Sequence, residues 1–498
     1  MFYNSTRNSK LKVTSAEAIT KGLSDEGGLF VPEAIPALTD ADMKYLGKMK
    51  YYEQAALILK KFLTDFTDDE IKEATQKAYG KNFTIEGITK LLKLSPDCYI
   101  LELFHGPTCA FKDMALQLLP HLMTVSAKKA EAVKDKKIVI LTATSGDTGK
   151  AALEGFKDVE NTSVTVFYPE NGVSEMQKRQ MTTQEGANVH VCAIKGNFDD
   201  CQTGVKEIFT DKDLIKQLAE KNMVFSSANS INCGRLIPQI VYYVSAYIEM
   251  VEKGEIKAGE KINVCIPTGN FGNILAAYYA KEMGLPVNKL ICATNSNKVL
   301  YDCINTGVYD INRDLVLTAS PSMDVLISSH FERLLYHLAD RDDSVINELF
   351  TNLKEKGKYE LDSEIKAKLN DLFYGGWCSE DETEKTIKSV FDEHSYLLDT
   401  HTAVAYKIYE DYRKNTGDNT KTIITATASP YKFCASVYRA LGGTPDSNDF
   451  VTAKKLEELT NTKMPEPLMK TESLPVRFKD SAEKSAIKQF AAALFKTL

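Results

Sequence analysis

The stretch Lys137-Ile-Val-Ile-Leu-Thr-Ala-Thr-Ser-Gly-Asp-Thr-Gly-Lys150 decides the fold class. An apolar, β-branched run passes through a glycine-containing turn into a helix-forming segment, which is the pattern of a strand followed directly by a helix. The same alternation continues in six further strand candidates, at 163–168, 188–194, 223–226, 263–266, 290–294 and 422–426. Because strands that alternate with helices are typical of parallel sheets, we predict an α/β protein with one doubly wound sheet that distant segments join.

The pattern changes before this core and again within its second half. Helical spacing of apolar residues over Tyr51–Leu63, and a helix start at Asp68, predict a helical cap. Charged and helix-forming residues around the lone Trp377 predict an insertion or lid. We therefore divide the chain into an N-terminal helical cap at 1–95, a two-lobed α/β core at 96–310, a mainly helical insertion at 311–395, and a completion of the core with a terminal helix at 396–498.

The composition excludes several classes of protein. Of the 498 residues, 43% are hydrophobic and 26% charged, as in a folded globular chain. A net charge of -7 gives no electrostatic footprint for nucleic acid or for an anionic membrane, so we expect a small-molecule partner. The most apolar window, Ile237–Val251, contains polar residues and is too short to cross a bilayer. With dispersed cysteines, no CxxC pair and no HExxH motif, we expect a soluble, cytoplasmic protein with reduced thiols and no metal.

Two glycine turns at strand ends are candidate anion sites. At 144–150, the N–H groups of a helix start are joined by hydroxyl side chains, although simple N-capping by Thr144 or Ser145 explains the pattern equally well. In Pro267-Thr-Gly-Asn-Phe-Gly-Asn273, the glycines let successive N–H groups converge on a phosphate, although a turn without a ligand is the alternative. This turn matches neither GxxxxGK[ST] nor GxGxxG. Together the turns indicate a ligand with two anionic groups, or a phosphorylated cofactor beside an acidic substrate.

A third segment, Phe104-His-Gly-Pro-Thr-Cys-Ala-Phe-Lys-Asp113, places Lys112 after a Gly-Pro turn. Screening by Phe104 and Phe111 would disfavour the ammonium form and favour the neutral amine that Schiff-base chemistry needs. Taken alone, a lysine is more often a solvated surface charge, and His105 is more often a turn or packing residue than a catalyst. The segment is therefore informative only in combination with the others.

In combination, these segments resemble the pyridoxal-phosphate enzymes of fold type II, and within them the threonine synthases of the longer, microbial and fungal type. The similarity covers nearly the whole chain through DEGGLFVP at 25–32, HGPTxAFKD at 105–113, ATSGDTG at 143–149, NSINxxRxxPQ at 229–239, PTGNFGN at 267–273, DTHTAVA at 399–405 and TASPYKF at 427–433. The resemblance implies a tryptophan synthase β-like fold with a helical cap and insertion. The chain departs from the family pattern at two positions. Thr400 stands where many relatives have the proline of DPHTAVA, and Ser429 stands where many have the histidine of TAHP.

The resemblance also implies roles for residues of these motifs. Lys112 would join pyridoxal 5'-phosphate as a Schiff base, and Thr427 would face the ring nitrogen, which a neutral hydroxyl leaves largely unprotonated. The loop that holds the cofactor phosphate would be Gly269, Asn270, Phe271, Gly272 and Asn273. The seat of the substrate carboxylate and the cofactor face would be Ser145, Asp147 and Thr148. The contacts to the substrate's own phosphate would be Asn229, Ser230, Asn232 and Arg235, the last as a planar, charged fork.

The activity implied is that of a lyase in threonine biosynthesis, which converts O-phospho-L-homoserine and water into L-threonine and phosphate by γ-elimination and hydration at Cβ. Lys112 would move the protons, and the insertion or the cap would close over the ligand to exclude water. A threonine or serine dehydratase would share Lys112 without needing Arg235, and a catalytically idle binding protein is a third alternative, which an intact Lys112 disfavours. The amphipathic stretch Ser481–Leu498 fits docking on its own core or on a second subunit; we favour its own core, which is compatible with a monomer.

Overall fold

Strands and helices alternate along the chain as the sequence predicts. The computed structural model describes residues 1–497, with Asp199 described by its backbone alone. The strands of these residues are β1 (Tyr3–Ser5), β2 (Asn8–Val13), β3 (Phe30–Pro32), β4 (Lys90–Ser95), β5 (Cys98–Glu102), β6 (Lys137–Ala143), β7 (Thr162–Pro169), β8 (Val189–Lys195), β9 (Met223–Ser226), β10 (Ile262–Pro267), β11 (Val287–Thr294), β12 (Val308–Asp310), β13 (Lys358–Glu360), β14 (Phe373–Trp377), β15 (Thr422–Ala426) and β16 (Ser481–Glu483). Every strand predicted from the sequence is present, within a few residues of its expected bounds.

The helices begin where their sequences supply N-terminal caps. Thr14 and Glu17 form a capping box at the first helix, and Thr67 and Glu70 form another at the fourth. The helices are α1 (Ser15–Lys21), α2 (Asp40–Leu46), α3 (Tyr51–Phe62), α4 (Asp68–Tyr79), α5 (Asp113–Leu116), α6 (Leu119–Lys129), α7 (Asp147–Phe156), α8 (Glu175–Thr182), α9 (Phe198–Thr210), α10 (Lys212–Glu220), α11 (Cys233–Leu236), α12 (Pro238–Glu252), α13 (Gly272–Glu282), α14 (Val299–Thr306), α15 (Phe331–Leu338), α16 (Asp343–Lys356), α17 (Ser363–Leu372), α18 (Glu380–His394), α19 (Thr400–Thr416), α20 (Cys434–Ala440), α21 (Asp449–Thr460), α22 (Glu466–Met469) and α23 (Ile487–Thr497). Short 3-10 helices lie at Pro321–Met323, Pro430–Phe433, Lys470–Glu472 and Lys484–Ala486.

A six-stranded sheet forms one lobe of the core, in the order β14-β11-β10-β15-β5-β4. All neighbouring strands pair in parallel except the hairpin β4-β5 at one edge. The late strand β15 lies between β10 and β5, which confirms that a distant segment rejoins the sheet. β5, β10 and β15 are buried along their whole length, as expected of strands that are covered on both faces.

A separate five-stranded sheet forms the other lobe, in the order β16-β8-β7-β6-β9, with all neighbours parallel. The interpretation of the strand pattern as one sheet was therefore wrong, because the predicted strands divide between two sheets, whereas the doubly wound sheets that the resemblance implies are confirmed. The apolar, β-branched composition of a strand shows that it is buried, but it does not identify the neighbouring strand. Which strands become neighbours depends on how the connecting segments run between them.

The N-terminal region contains a small sheet that the sequence analysis did not predict. β1 pairs antiparallel with both β2 and β3, and the helices α2 to α4 follow. Strands this short do not establish a clear two-residue period, so their sequence signal is weak. In addition, β4 belongs to the core sheet rather than to the cap, because its hairpin partner is β5. The cap is therefore a mixed α/β unit, and its helices α3 and α4 lie where the sequence places them.

The insertion is mainly helical, but it also supplies a strand to the core. β14 pairs in parallel with β11 and forms the outer edge of the six-stranded sheet, while β12 and β13 form a separate antiparallel pair. The two glycines of β14 hide it in the sequence, since glycine disfavours strands. Their purpose is steric: a Cβ at Gly376 would lie 2.4 Å from Cγ2 of Ile408 on α19.

The C-terminal segment docks on its own chain, as we favoured from the sequence. β16 adds to the edge of the five-stranded sheet, and Ile487, Ala491 and Phe495 of α23 lie in a core cluster with residues of α9. The ring of Phe495 lies 5.6 Å from that of Phe225 on β9. Leu498, the last residue of the predicted segment, lies outside the described residues. No helix within residues 1–497 has both the length and the apolar character needed to cross a membrane.

Candidate active site

A cavity of about 530 Å³ lies where the loops after β6, β9, β10 and β15 converge. Because β6 and β9 belong to one sheet and β10 and β15 to the other, the cavity lies between the two lobes. The carboxyl ends of parallel strands are the usual place for a ligand in such folds. Its lining includes residues from each of the predicted anion and lysine segments, namely Lys112, Ser145, Thr148, Arg235, Asn270 and Thr427.

Lys112 is buried in this cavity and faces polar atoms from two other elements. Its Nζ lies 3.4 Å from Oδ2 of Asp147, at the start of α7, and 3.2 Å from Oγ of Ser322, in the 3-10 helix of the insertion. The ammonium also lies 4.8 Å from the centre of the Phe111 ring. Burial lowers the pKa of this amine, although Asp147 opposes the shift. The neutral amine is therefore available at a lower pH than in an ordinary lysine, as the sequence predicts.

Phe104 and His105 play a structural part near this lysine. Nε2 of His105 lies 2.8 Å from Oε2 of Glu102, and the Phe104 ring packs 4.9 Å from the His105 ring. Neither residue is among those that line the cavity. The pairing of His105 with Glu102 agrees with a packing residue, and Phe111 is the ring that the structure places against the Lys112 amine.

Asp147 lies between two buried lysines. Its Oδ1 is 2.7 Å from Nζ of Lys432 and accepts a hydrogen bond from Nε2 of Gln177 at 2.9 Å, while its Oδ2 faces Lys112. Burial by itself would raise the pKa of the carboxyl, but Lys432 and Lys112 outweigh it and hold the pKa far below its usual range. Asp147 also lines the cavity, so its predicted place beside the substrate and the cofactor face stays a prediction. Its contacts among the described residues are with the two lysines and Gln177.

The turn at the start of α7 is capped by Thr144, and its neighbours line the cavity. The N–H groups of Gly146 and Gly149 donate to Oγ1 of Thr144, each at 2.9 Å, so Thr144 closes the helix start. Ser145 and Thr148 are among the residues that line the cavity. The structure therefore shows the capping by Thr144, and the binding of an anionic group at this helix N-terminus stays a prediction.

The loop Gly269–Asn273 opens α13 and lines the cavity. Phe271 has a left-handed backbone, with φ at 67°, and its ring packs 5.1 Å from that of Phe331. A bulky residue rarely adopts this backbone, so the surrounding packing must hold it there. A Cβ at Gly269 would lie 2.8 Å from the carbonyl oxygen of Ser322, so the insertion approaches this loop closely.

Asn273 presents an unpaired amide donor in the same loop. The hydroxyls of Tyr242 and Tyr243 both donate to its Oδ1, each at 2.5 Å. Nδ2 therefore points the other way, and it is buried without a partner among the described residues. Since a buried donor without an acceptor is costly, an oxygen-rich ligand would relieve it. The first N–H groups of α13 also have no acceptor within the helix. The loop is thus built for an anion.

Thr427 follows β15 and is tied by its backbone to the lysine segment. The N–H of Phe111 donates to the carbonyl of Thr427 at 2.8 Å, and Ala110 forms a β-bridge with Ala428. The Thr427 side chain lines the cavity. The lysine and the threonine, far apart in sequence, are therefore fixed side by side.

Arg235 is a buried cation without a carboxylate partner among the described residues. Its Nη1 donates to the carbonyl of Ala228 at 2.9 Å, and its Nε has no partner. Burial lowers the pKa of the guanidinium to about 10, with no neighbouring charge that offsets it. It stays charged at neutral pH. A buried charge of this kind normally requires an anion, which the cavity can admit.

Two of the three residues predicted beside Arg235 also line the cavity, namely Asn229 and Ser230. Asn232 does not. Its Nδ2 donates to the carbonyls of Ile19 and Ser227, each at 2.9 Å, and its Oδ1 accepts the N–H of Gly234. All of its side-chain hydrogen-bonding groups are used, so the prediction that Asn232 binds substrate was wrong. It caps α11 and fixes this segment against α1.

The two departures from the family pattern have local roles. Oγ1 of Thr400 donates to the carbonyl of Ala319 at 2.7 Å, and Oγ of Ser429 accepts the N–H of Tyr431 at 3.4 Å. Neither residue is among those that line the cavity.

Sequence reasoning missed several residues of the site. His401 and Lys432 lie in motifs that were noticed, but no role was assigned to them. Nε2 of His401 accepts the N–H of Ser322 at 3.3 Å, and its Nδ1 lies 3.0 Å from Oδ1 of Asp399. Ser322 and His330 also line the cavity, from the insertion. The sequence carries no signal for these two, since only the folded chain brings the insertion over Lys112.

Comparisons with known proteins agree with this site. Family profiles described as "Threonine synthase N terminus", "Pyridoxal-phosphate dependent enzyme" and "Threonine synthase, C-terminal" match residues 2–79, 83–427 and 402–491. The chain is 42% identical over 437 residues to human "Threonine synthase-like 1". The aligned region covers 86% of this chain and 58% of that protein, so this chain spans less than two thirds of the length of that relative. It is 37% identical over 469 residues to "Threonine synthase" of Saccharomyces cerevisiae, with 89% of each chain covered.

Solved structures give the same result for the fold. The yeast threonine synthase structure superposes with a TM-score of 0.88 at 33% identity, covering 100% of this chain and 99% of that one. The structure of PLP-bound threonine synthase from Brucella melitensis superposes with a TM-score of 0.87 at 34% identity, covering 99% of each chain.

Fold and site together define a pyridoxal-phosphate-dependent enzyme of fold type II. Its cofactor is pyridoxal 5'-phosphate. Within that class, the chain belongs to the threonine synthase family.

The residues present fit this cofactor. A buried amine at Lys112 suits its aldehyde, and the unpaired Nδ2 of Asn273 suits its phosphate. The hydroxyl of Thr427 offers a neutral partner for a ring nitrogen. All three lie on the cavity wall, whose volume of about 530 Å³ is that of a small-molecule site.

Proposed function

We propose that the protein is a threonine synthase, which converts O-phospho-L-homoserine and water into L-threonine and phosphate. The observation that carries this proposal is Arg235, a buried guanidinium without a carboxylate partner that lines the same cavity as Lys112. The positive charge of Arg235 is separate from the loop Gly269–Asn273 that suits the cofactor phosphate, so it suits a substrate that carries a phosphate of its own. A dehydratase acting on threonine or serine has no such group to bind.

In this proposal, three elements hold the cofactor. Lys112 binds its aldehyde, the loop Gly269–Asn273 binds its phosphate, and Thr427 faces its ring nitrogen. When bound, the cofactor withdraws electrons from the substrate, so that protons on Cα and Cβ become acidic and the γ-phosphate can leave. The protein's own contribution is then to hold the groups that react and to move the protons.

The remaining cavity residues hold the substrate. Arg235, with Asn229 and Ser230, binds the phosphate and keeps it bound as it leaves. Ser145 and Thr148, at the positive end of α7, bind the carboxylate. The Nζ of Lys112 takes the protons of Cα and Cβ and, after the phosphate has left, delivers one proton to Cγ and one to Cα, while water supplies the hydroxyl of Cβ and a proton to the phosphate. The lowered pKa of Lys112 suits this role because the free amine is accessible nearer to neutral pH.

A product assay tests this function. The purified protein with cofactor, given O-phospho-L-homoserine, is expected to release phosphate and L-threonine in equal amounts. Formation of a keto acid and ammonia from threonine or serine would instead identify a dehydratase. Absence of any turnover, despite bound cofactor, would favour a binding protein.

Two substitutions separate the cofactor site from the substrate site. Lys112→Ala is expected to abolish both turnover and the visible absorbance of the lysine-bound cofactor. Arg235→Ala is expected to leave that absorbance unchanged while kcat/KM falls about 10- to 100-fold, since a hydrogen bond to a charged group contributes about 1.5–3 kcal/mol. Arg235→Lys keeps the positive charge but loses the planar, two-pronged guanidinium, so its kcat/KM should lie between the values of Arg235→Ala and the wild type. Equal activity of Arg235→Ala and the wild type would remove Arg235 from the site.

A further inference from the structure

We propose that Lys432 is a positioning residue for Lys112: by neutralising Asp147, it leaves the Lys112 nitrogen free to give up its proton. This inference deepens the proposed function, because it takes Lys112 as the residue that holds the cofactor. It concerns a lysine that the catalytic roles above do not use.

The geometry places one carboxylate between two ammonium groups. Nζ of Lys432 lies 2.7 Å from Oδ1 of Asp147, whereas Nζ of Lys112 lies 3.4 Å from Oδ2. The shorter contact belongs to Lys432, whose side chain is fully buried and whose Nζ also donates to the carbonyl of Thr108 at 2.9 Å. Lys432 is therefore the fixed partner of Asp147, and Lys112 is the second, looser one.

The fold holds Lys432 rigidly in this position. It lies in the 3-10 helix Pro430–Phe433, which follows β15 of the six-stranded sheet and is capped by Ser429. Asp147 opens α7, which follows β6 of the other sheet. The ion pair thus joins the two lobes through Asp147, which lines the cavity, and Gln177 of α8 holds the same carboxylate oxygen.

Among the described residues, Asp147 is the one carboxylate paired with Lys112, and it favours the ammonium form. The charged and titratable groups that face this lysine from the elements packed against it are Asp147 on α7, Lys432 after β15, Arg235 on α11 and, behind Ser322, His401 and Asp399 at the start of α19.

The direction of each influence follows from its charge. Burial lowers the pKa of Lys112, Asp147 raises it, and Lys432 and Arg235 lower it further. If Lys432 lost its charge, Asp147 would retain a full negative charge beside Lys112 alone. The pKa of the Lys112 nitrogen would then rise, and its neutral form would require a higher pH.

The cofactor itself reports the proton on this nitrogen. In the holoenzyme the Lys112 nitrogen is part of the chromophore, so the pH at which the visible absorbance changes measures that proton without any turnover. The test is a pH titration of the visible absorbance of wild-type and variant holoenzymes between about pH 5 and about pH 10, and the quantity compared is the midpoint of the absorbance change. Lys432→Gln is the main variant, because its amide can still donate to Asp147 and Thr108 while the charge is lost.

The expected result for Lys432→Gln is a midpoint about one to three pH units higher than in the wild type, which is the usual effect of one nearby charge. Lys432→Arg, which keeps the charge, should restore the wild-type midpoint. Lys150→Gln is the matched control. Lys150 is a buried lysine on α7 that is paired with Glu154 at 2.9 Å, so its loss tests the general effect of removing a buried lysine.

A midpoint in Lys432→Gln that equals or falls below that of the wild type would overturn the proposal, as would an equal rise in Lys150→Gln. If Lys432→Gln does not fold, Asp147→Asn decides the question. Removing the carboxylate must lower the midpoint, and an unchanged or raised midpoint would contradict the proposed balance.

The two failures are distinguishable. If the visible band persists in Lys112→Ala, the assignment of the cofactor lysine fails. If the band depends on Lys112 but its midpoint ignores Lys432, only the role of Lys432 fails.

Discussion

At the scale of single residues, the site is a balance of buried charges that water does not screen. Lys112 and Arg235 line the cavity and Lys432 is buried against Asp147, which is the one carboxylate in contact with any of the three among the described residues. A cavity with such an excess of positive charge attracts anions, and both the cofactor and the proposed substrate carry phosphate. The charge balance therefore agrees with the proposed function.

The position of Asp147 depends on the glycine before it. Gly146 has φ at +130°, and a Cβ there would lie 2.4 Å from the side chain of Gln177, which bonds Asp147. Gly146→Ala is expected to lower the free energy of unfolding by about 1–3 kcal/mol through backbone strain alone. It should also reduce activity, because Gln177 must move away from Asp147. Urea unfolding and phosphate release measure the two effects.

Gly442→Ala is the matched control for this prediction, since Gly442 also has a positive φ, +89°, but nothing lies within 4 Å of its added Cβ. It should lose stability without losing activity. Equal activity losses at the two positions would contradict a special role for the contact with Gln177.

At the scale of elements, the short 3-10 helix Pro321–Met323 is the part of the insertion that covers Lys112. Ser322 reaches Lys112 with its Oγ, and its N–H is held by His401 from α19. Nδ1 of His401 is in turn held by Asp399, which caps the same helix. A chain of hydrogen bonds thus connects a core helix to the cover of the site.

His401→Ala is expected to loosen this cover. Losing one neutral hydrogen bond, about 1 kcal/mol, would make opening of the segment about fivefold more frequent. Hydrogen exchange in peptides spanning 319–327 should accelerate accordingly, and kcat should fall because the reaction is less protected from water.

His394→Ala provides the control, because His394 lies at the end of α18 and is not among the residues that line the cavity. Its exchange pattern around 319–327 should match that of the wild type. Unchanged exchange in His401→Ala would show that the hydrogen bond to Ser322 does not hold the cover.

At the scale of the whole molecule, three regions surround the mouth of the cavity. Leu23 follows α1 of the cap, Lys206 lies on α9 of the five-stranded lobe, and Ile327 lies in the insertion. Leu23 and Ile327 are large apolar residues that are 39% and 53% exposed. Closure would bury them. The expected lid is therefore shared between the cap, the insertion and α9, which the sequence analysis did not include.

We expect a phosphonate analogue of the substrate, added to the holoenzyme, to close the mouth. Trypsin cleavage after Lys21 and Lys206 should slow, and the radius of gyration in solution scattering should decrease, because the lobes approach each other. The Arg235→Ala holoenzyme is the control, since it should bind the analogue weakly and respond less. No change in cleavage or scattering in the wild type would contradict closure by these regions.

The sequence alone determined the strands of the core, the two glycine turns that line the cavity and the lysine beside Phe111, because each is a local pattern of period, glycine and charge. Motifs in the same order as in a known family extended this to cofactor and substrate. Only the tertiary structure decided that the strands form two sheets, that Asp147 pairs with Lys432, that Asn232 is a cap, and that Ser322 covers Lys112. These facts depend on which distant segments meet, and contacts between residues far apart in the chain leave no local pattern to find.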